Sequence, residues 1–182
     1  MGSSSTTEIF IITMRKRISY ENLKQYLSYD PKTGVFIQLV KGYTKNRGIG
    51  SEIGTFSQEG YRIVTIYGIS YKLCVLAYLY MMEEYPPKGY CVDHINLNKS
   101  DDRWENLRLA TTRQNKQNEG ILKTNTSGVK GVCWHKRHKK WIAQLRVNSI
   151  IKHIGYFSDL EEAKEAIRKA RELYHGEYAN HG

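Results

Sequence analysis

Residues 91–118, "CVDHINLNKSDDRWENLRLATTRQNKQN", set an acid directly before a histidine and place asparagines at 106 and 115 behind the pair. Tyr90 to Ile95 and Trp104 to Ala110 read as two short strands, and the polar run Asn96 to Arg103 as the loop between them. Thr111, with Gln114 three residues on, has the capping-box spacing that opens a helix. The stretch therefore predicts a ββα unit with Asp93 and His94 on its first strand, Asn106 on its second and Asn115 on the first turn of its helix.

These residue types suit the hydrolysis of a phosphodiester, which calls for a base to activate water, a cation on the scissile phosphate and a frame that holds both in line. His94 is the candidate base, because an imidazole takes up a proton near neutral pH once a neighbour fixes its tautomer. Asp93 is the candidate ligand for a hard ion such as Mg²⁺, with Mn²⁺ as the alternative. Adjacent residues on a strand point to opposite sides, so Asp93 and His94 flank a phosphate rather than chelate one ion together. The second ligand is then expected from Asn115, and Asn106 reads as a clamp on the loop that positions His94.

A formal net charge of +10 on 182 residues, with a pI near 9.4, favours a polyanionic partner, and nucleic acid is the leading one. The longest apolar run, "CVLAYLYMM" at 74–82, is about half of what a membrane-spanning helix requires, so no membrane role is expected. Cys74, Cys91 and Cys133 are widely spaced with no C-x-x-C pair, which reads as reduced, structural thiols in an intracellular protein. Residues 1–18 are expected to be a tail with no cleavable signal pattern, its Gly-Ser opening an appended sequence and Met14 an internal start.

Before the ββα unit, Ser19, Asn22, Leu23, Tyr26 and Leu27 predict a short capped helix, and "DPKTG" at 30–34 a turn. "VFIQLV" predicts a strand, and "YRIVTIYGISYKL" a hairpin about Tyr67-Gly68. "VLAYLYMMEEY" turns helical before Pro86 and Pro87. After the unit, "NEGILKTNTSG" at 118–128 is polar and glycine-containing, as a linker is. In "VKGVCWHKRHKKWIAQLRV" the residues Trp141, Ala143, Leu145 and Val147 alternate with polar or exposed positions, as a one-sided antiparallel strand demands. "KHIGYF" adds a strand. A final helix is expected, capped by Ser158 and Glu161, with Leu160, Ala163, Ile167, Ala170 and Tyr174 on its apolar face and Gly176 as its stop. Eight Lys or Arg and no Asp or Glu lie between Lys123 and Phe157, so much of the positive charge belongs to this last part.

"VDHIN…DDRWENLRLAT…QN" resembles the HNH endonuclease motif, most closely that of phage and intron-encoded homing endonucleases. In that pattern a histidine base is followed twelve residues later by a structural asparagine and nine further on by the last metal ligand, here His94, Asn106 and Asn115. The preceding Asp93 is the other ligand, and the implied fold is the ββα-metal finger. "LSYDPKTGVF" and "YK…LAYLYM…YPP" are similar to the region these enzymes carry before the motif. Many relatives have His-Arg where this chain has Cys74-Val75, so no catalytic role is expected of that helix. The segment from "SGVKGVCWHKRHKKW" onward is similar to the AP-two/ethylene-response-factor DNA-binding domain. That resemblance implies that Gln144, Arg146 and His153 face DNA, with Lys130, Trp134, Lys136 and Arg137 beside them and Trp141 in the core.

The expected fold class is α+β: a tail at 1–18, a small mixed module at 19–89, the HNH ββα-metal unit at 90–118, a linker at 119–128 and, at 129–182, a three-stranded antiparallel sheet packed on one helix. The expected function is a metal-dependent endonuclease of homing or nicking type acting on double-stranded DNA, as a monomer, in the cytoplasm of a phage-infected cell. The alternatives are a non-catalytic sequence-specific DNA-binding regulator and an RNA-binding module.

Overall fold

The hydroxyl of Ser19 accepts the Asn22 backbone N–H at 3.3 Å and so starts α1 (Tyr20–Tyr26), as the cap spacing predicts. Leu27, expected on this helix, instead adopts an extended conformation and begins β1 (Leu27–Asp30). Strand pairing overrides the helical spacing: β1 lies antiparallel to β2 (Val35–Gln38), with Leu27 opposite Gln38 and Asp30 opposite Val35. The turn between them is built by Asp30, whose carboxylate accepts from the Lys32 N–H and the Thr33 hydroxyl, both at 2.9 Å. The computed structural model describes residues 17–42, 48–118, 120–121 and 124–182. The expected tail lies outside the described residues up to residue 16, as do residues 119, 122 and 123 of the expected linker.

The chain forms two compact units, Met1–Leu109 and Ala110–Gly182. In the first, β3 (Thr55–Phe56), β4 (Arg62–Ile66) and β5 (Ile69–Lys72) make an antiparallel sheet. Tyr67 and Gly68 both take positive φ, 49° and 80°, at its β4–β5 turn, the geometry a tight hairpin of matching twist demands. The helix α2 (Leu73–Met82) is apolar on most sides and is buried accordingly at Leu73, Cys74, Leu76, Ala77, Tyr78 and Leu79. These side chains pack with Leu23, Leu27, Phe36, Ile53 and Ile66 into one core.

β6 (Tyr90–His94) and β7 (Leu107–Thr111) form a two-stranded sheet. The second strand was expected to begin at Trp104, but Trp104–Asn106 is a single 3₁₀ turn. Its backbone donors are committed away from a ladder: the Trp104 N–H goes to the Pro31 carbonyl and the Asn106 N–H to the Arg103 carbonyl, both at 2.9 Å.

The second unit opens with α3 (Thr112–Asn118), where the predicted capping box is complete: the Gln114 N–H donates to the Thr111 hydroxyl at 3.3 Å and the Thr111 N–H to the Gln114 side-chain oxygen at 2.8 Å. β8 (Val132–His135), β9 (Lys140–Val147) and β10 (Ile150–Phe157) form an antiparallel sheet in the order β10-β9-β8. Ala163, Ile167 and Ala170 of α4 (Leu160–His175) pack on Val132, Ala143 and Leu145, the expected one-helix layer. Its cap is Asp159 and not Ser158. The Asp159 carboxylate accepts the Glu161 and Glu162 N–H groups at 2.8 and 3.1 Å, and a negative group at that end also meets the helix dipole favourably. Among the described residues no helix is long and apolar enough to cross a membrane.

Gly34 ties the β1–β2 hairpin to the loop that follows β6. Its φ is 73°, and a Cβ there would stand 2.6 Å from both the Arg103 nitrogen and the Asp102 carbonyl carbon. Gly34→Ala is expected to cost at least ~1–2 kcal/mol through the positive φ alone, with the backbone clash added to it. A thermal melt that leaves Tm unchanged would show that this approach is not a constraint.

Candidate active site

After His94 the chain enters a loop closed by one side chain. The Asn106 amide oxygen accepts the Asn96 N–H at 3.0 Å, its amide nitrogen donates to the Asp101 carbonyl at 2.8 Å, and its own carbonyl accepts the Ile95 N–H at 2.9 Å. Asn106 is buried, so these bonds satisfy a polar group that would otherwise be costly to remove from water. Inside the loop Arg103 grips the Asp101 carboxylate with Nε and one terminal nitrogen at 2.8 and 2.7 Å, and Asn96 adds a third bond at 2.7 Å. The Arg103 bonds, helped by Asn96, hold the Asp101 carboxyl at about 2, well below its usual range. From outside, the Tyr29 hydroxyl donates to the Asp102 carbonyl at 2.7 Å. The loop is thus fixed at both ends and along its back.

This frame aims Asp102 at His94. Both are buried, 2% and 4% exposed, and His94 Nε2–H donates to Asp102 Oδ1 at 3.0 Å. A carboxylate on Nε2 selects the tautomer whose lone pair sits on Nδ1. The other oxygen, Asp102 Oδ2, is buried with no hydrogen-bond partner. Cys74 of α2 completes a cluster in which one ligand atom each from Cys74, His94 and Asp102 lie within 4.8 Å of one another. Burial pushes the Cys74 thiol up to about 12, so it stays neutral beside the pair.

Asp93, one residue earlier, turns to a different partner, as strand alternation requires: its Oδ2 accepts from Arg108 Nε on β7 at 3.0 Å. Tyr61 lies with its ring centroid 6.0 Å from that of His94, and the ammonium groups of Lys72 and Lys99 sit 3.4 and 4.8 Å from the Tyr61 ring centre. Two cations therefore border the histidine through one aromatic ring. The Asp93 carboxylate is a hard donor of the kind a hard divalent cation takes, whereas the orphaned Asp102 oxygen belongs to the Cys74–His94–Asp102 cluster, whose neutral thiol adds no affinity for such an ion.

Asn115 stands on the first turn of α3, half-buried, within the second unit. On β9, Gln144 and Arg146 are exposed and alternate with the buried Ala143 and Leu145, and His153 on β10 pairs with Gln144. Trp134 is exposed and meets Trp141 edge to face at 5.0 Å, while Trp141 packs partly into the core. Lys136 and Arg137 are exposed in the β8–β9 turn, and Lys130 is half-buried with its ammonium donating to the Gln117 carbonyl at 2.8 Å. Sequence reasoning passed over Asp102, Arg108 and Tyr61 and expected no catalytic role of the helix that carries Cys74. Asp102 left a weak trace, as an acid in the polar loop eight residues past His94, whereas Cys74 reads in sequence as a structural thiol of an apolar helix.

Residues 75–117 match the family model described as HNH endonuclease, a span that holds Asp93, His94, Asn106 and Asn115. The chain is also similar to Protein 3.8 of Escherichia phage T7, with 38% identity over 93 residues that make up 51% of this chain and 76% of the relative. No solved structure matches it. With the matched span enclosing the histidine, its framing asparagine and the acid beside it, and with three quarters of a phage relative covered, the chain belongs to the HNH endonuclease family.

Proposed function

We propose that the chain is a divalent-metal-dependent endonuclease that hydrolyses phosphodiester bonds in double-stranded DNA, a homing or nicking enzyme acting as a monomer in the cytoplasm of a phage-infected cell. The observation that carries this reading is the buried His94–Asp102 pair, a base and its orienting carboxylate at 3.0 Å. His94 Nδ1 takes the proton from the attacking water, and Asp102 stabilises the imidazolium that forms. Asn106 is the positioning residue, since its amide holds the loop that carries Asp102. By the HNH pattern Asp93 and Asn115 would hold Mg²⁺, or Mn²⁺, and Arg108, which donates to Asp93, orients that carboxylate. When bound, the ion supplies positive charge at the scissile phosphate and the leaving oxygen.

The segment 129–182, read as AP-two/ethylene-response-factor-like, chooses the site. Gln144, Arg146 and His153 on the exposed sheet face meet base edges, with Lys130, Trp134, Lys136 and Arg137 on the backbone beside them. The acid-free run from Lys123 to Phe157 supports a polyanion on this surface.

Supercoiled plasmid incubated with Mg²⁺, and in parallel with excess chelator, tests the nuclease; mapping the ends separates nicking from double-strand cleavage. Plasmid left intact with metal would favour a DNA-binding regulator. His94→Ala is expected to lose ~10²–10⁴ in cleavage rate while keeping its affinity for DNA, read by single-turnover cleavage and by a binding titration in chelator. Near-normal cutting by that variant removes His94 from the mechanism.

Asp93→Ala and Asn115→Ala are each expected to raise the Mg²⁺ concentration needed for half-maximal cutting, by roughly tenfold or more, the loss typical of a disturbed metal site. A metal dependence that does not move excludes them as ligands. On the sheet, Lys136→Ala is expected to weaken all sequences alike and flatten the slope of log affinity against log salt by about 0.9, whereas Arg146→Ala changes which sequences are preferred. Identical behaviour of the two variants would overturn the division between backbone and base contacts.

A further inference from the structure

The second unit contains a cavity of about 420 Å³ lined by α3, by Lys130 and Gly131 just before β8, by β9 and the turn after it, and by α4. Its wall carries Arg113, Lys116, Lys130, Arg146 and Arg171, and no acid. Arg113, Lys116, Arg146 and Arg171 make no ion pair among the described residues. Arg171 is the decisive one. It is 1% exposed, donates to the Lys130 carbonyl and lies 3.2 Å from His181 Nδ1, yet its Nε is buried with no partner. A buried guanidinium without a carboxylate is costly, and burial accordingly lowers its proton affinity. An anion in the cavity removes that cost.

The remaining lining shows what else the anion carries. Leu145 offers an apolar surface, and Gln117, Gln144 and Asn148 line the wall beside it, the Asn148 amide oxygen accepting from Arg113 at 2.9 Å and so leaving its amide nitrogen to donate to the edge of a base. His175 bonds the Arg146 carbonyl through Nε2 at 3.1 Å, which leaves Nδ1, buried and unpartnered, as an acceptor for a hydroxyl. The volume falls in the ~300–1,000 Å³ range of ligand pockets and exceeds what a bare phosphate fills.

We infer that this cavity is a binding site for a nucleoside monophosphate unit, offered either as a free nucleotide or as the 5′-phosphorylated end of a DNA strand, with its phosphate among Arg113, Lys116 and Arg171. The choice of a nucleotide rests on the reading of the chain as a DNA nuclease, but the requirement for an anion does not. Helical spacing puts Arg113, Lys116 and Gln117 on one side of α3 and Asn115 on another, so the site is separate from the proposed metal ligand on the same helix.

The test is calorimetric titration of the full chain in chelator with a deoxynucleoside monophosphate, the matching deoxynucleoside, and short duplexes ending in 5′-phosphate or 5′-hydroxyl. Binding of the monophosphate or the phosphorylated end, at least about tenfold tighter than its phosphate-free counterpart, is expected from charge-assisted hydrogen bonds of this kind. The monophosphate result assigns a free nucleotide and the duplex result a strand end. The exposed pair Arg113→Glu/Lys116→Glu is expected to lose that binding by at least tenfold with an unchanged melting temperature, and it keeps the test valid should Arg171→Met fail to fold. Equal binding of phosphorylated and phosphate-free ligands, or an unaltered affinity in the double variant, overturns the site. Plasmid cleavage with Mg²⁺, measured in parallel, separates the two readings: no phosphate-dependent binding by the unaltered chain with cutting intact counts against the pocket alone, and anion binding without any cutting counts against the nuclease alone.

Discussion

Everything in the first unit converges on the bond between His94 and Asp102. A histidine and a carboxylate, both almost wholly removed from water, are tolerable only because each satisfies the other and because the backbone around them is fixed before they meet. Asn106 closes the loop at its ends, the Asp101–Arg103 pair stiffens its middle, and Tyr29 takes the Asp102 carbonyl. The side chain of Asp102 therefore has little freedom to lose when it binds the imidazole, which is how a modest hydrogen bond sets one tautomer. The orphaned second oxygen of Asp102 is the residual tension in this arrangement.

The second unit solves a different problem. Its small core, built from Ala163, Ile167 and Ala170 against Val132, Ala143 and Leu145, uses one face of the sheet and one stripe of the helix. The opposite face carries Gln144, Arg146 and His153 together with Ile142, Ile151 and Tyr156, and the strand alternation that buries Ala143 and Leu145 is what exposes Gln144 and Arg146. Packing and surface chemistry are thus consequences of a single period along β9.

Elements governed by neighbours in sequence were legible. The Thr111–Gln114 capping box, the Tyr67-Gly68 turn and the alternation of β9 depend on local bonds and a fixed period, and the structure has all three. Features decided by distant partners were not. Leu27 keeps helical spacing yet joins a strand because β2 is there to pair with it, and Trp104 bends into a 3₁₀ turn because its N–H is taken by Pro31. Ser158 and Asp159 are adjacent cap formers, and spacing alone cannot separate a hydroxyl from a carboxylate one residue on. At the candidate site, the Asp93-His94 step and the intervals to Asn106 and Asn115 stand in the sequence. The partners Asp102, Cys74 and Arg108 emerge only when β6, the loop and α2 are brought together.

The approach of Gly34 to the Asp102–Arg103 peptide has an evolutionary and engineering corollary. The segment that carries the family pattern begins at residue 75, yet the peptide that supports the His94 partner rests on residues 29–34, far upstream. A finger grafted alone onto a foreign scaffold would leave behind the glycine that makes room for its loop and the phenol that anchors it. The portable module is therefore hairpin plus finger. Drift in either half is coupled to the other across some seventy residues of chain, the separation of Tyr29 and Asp102.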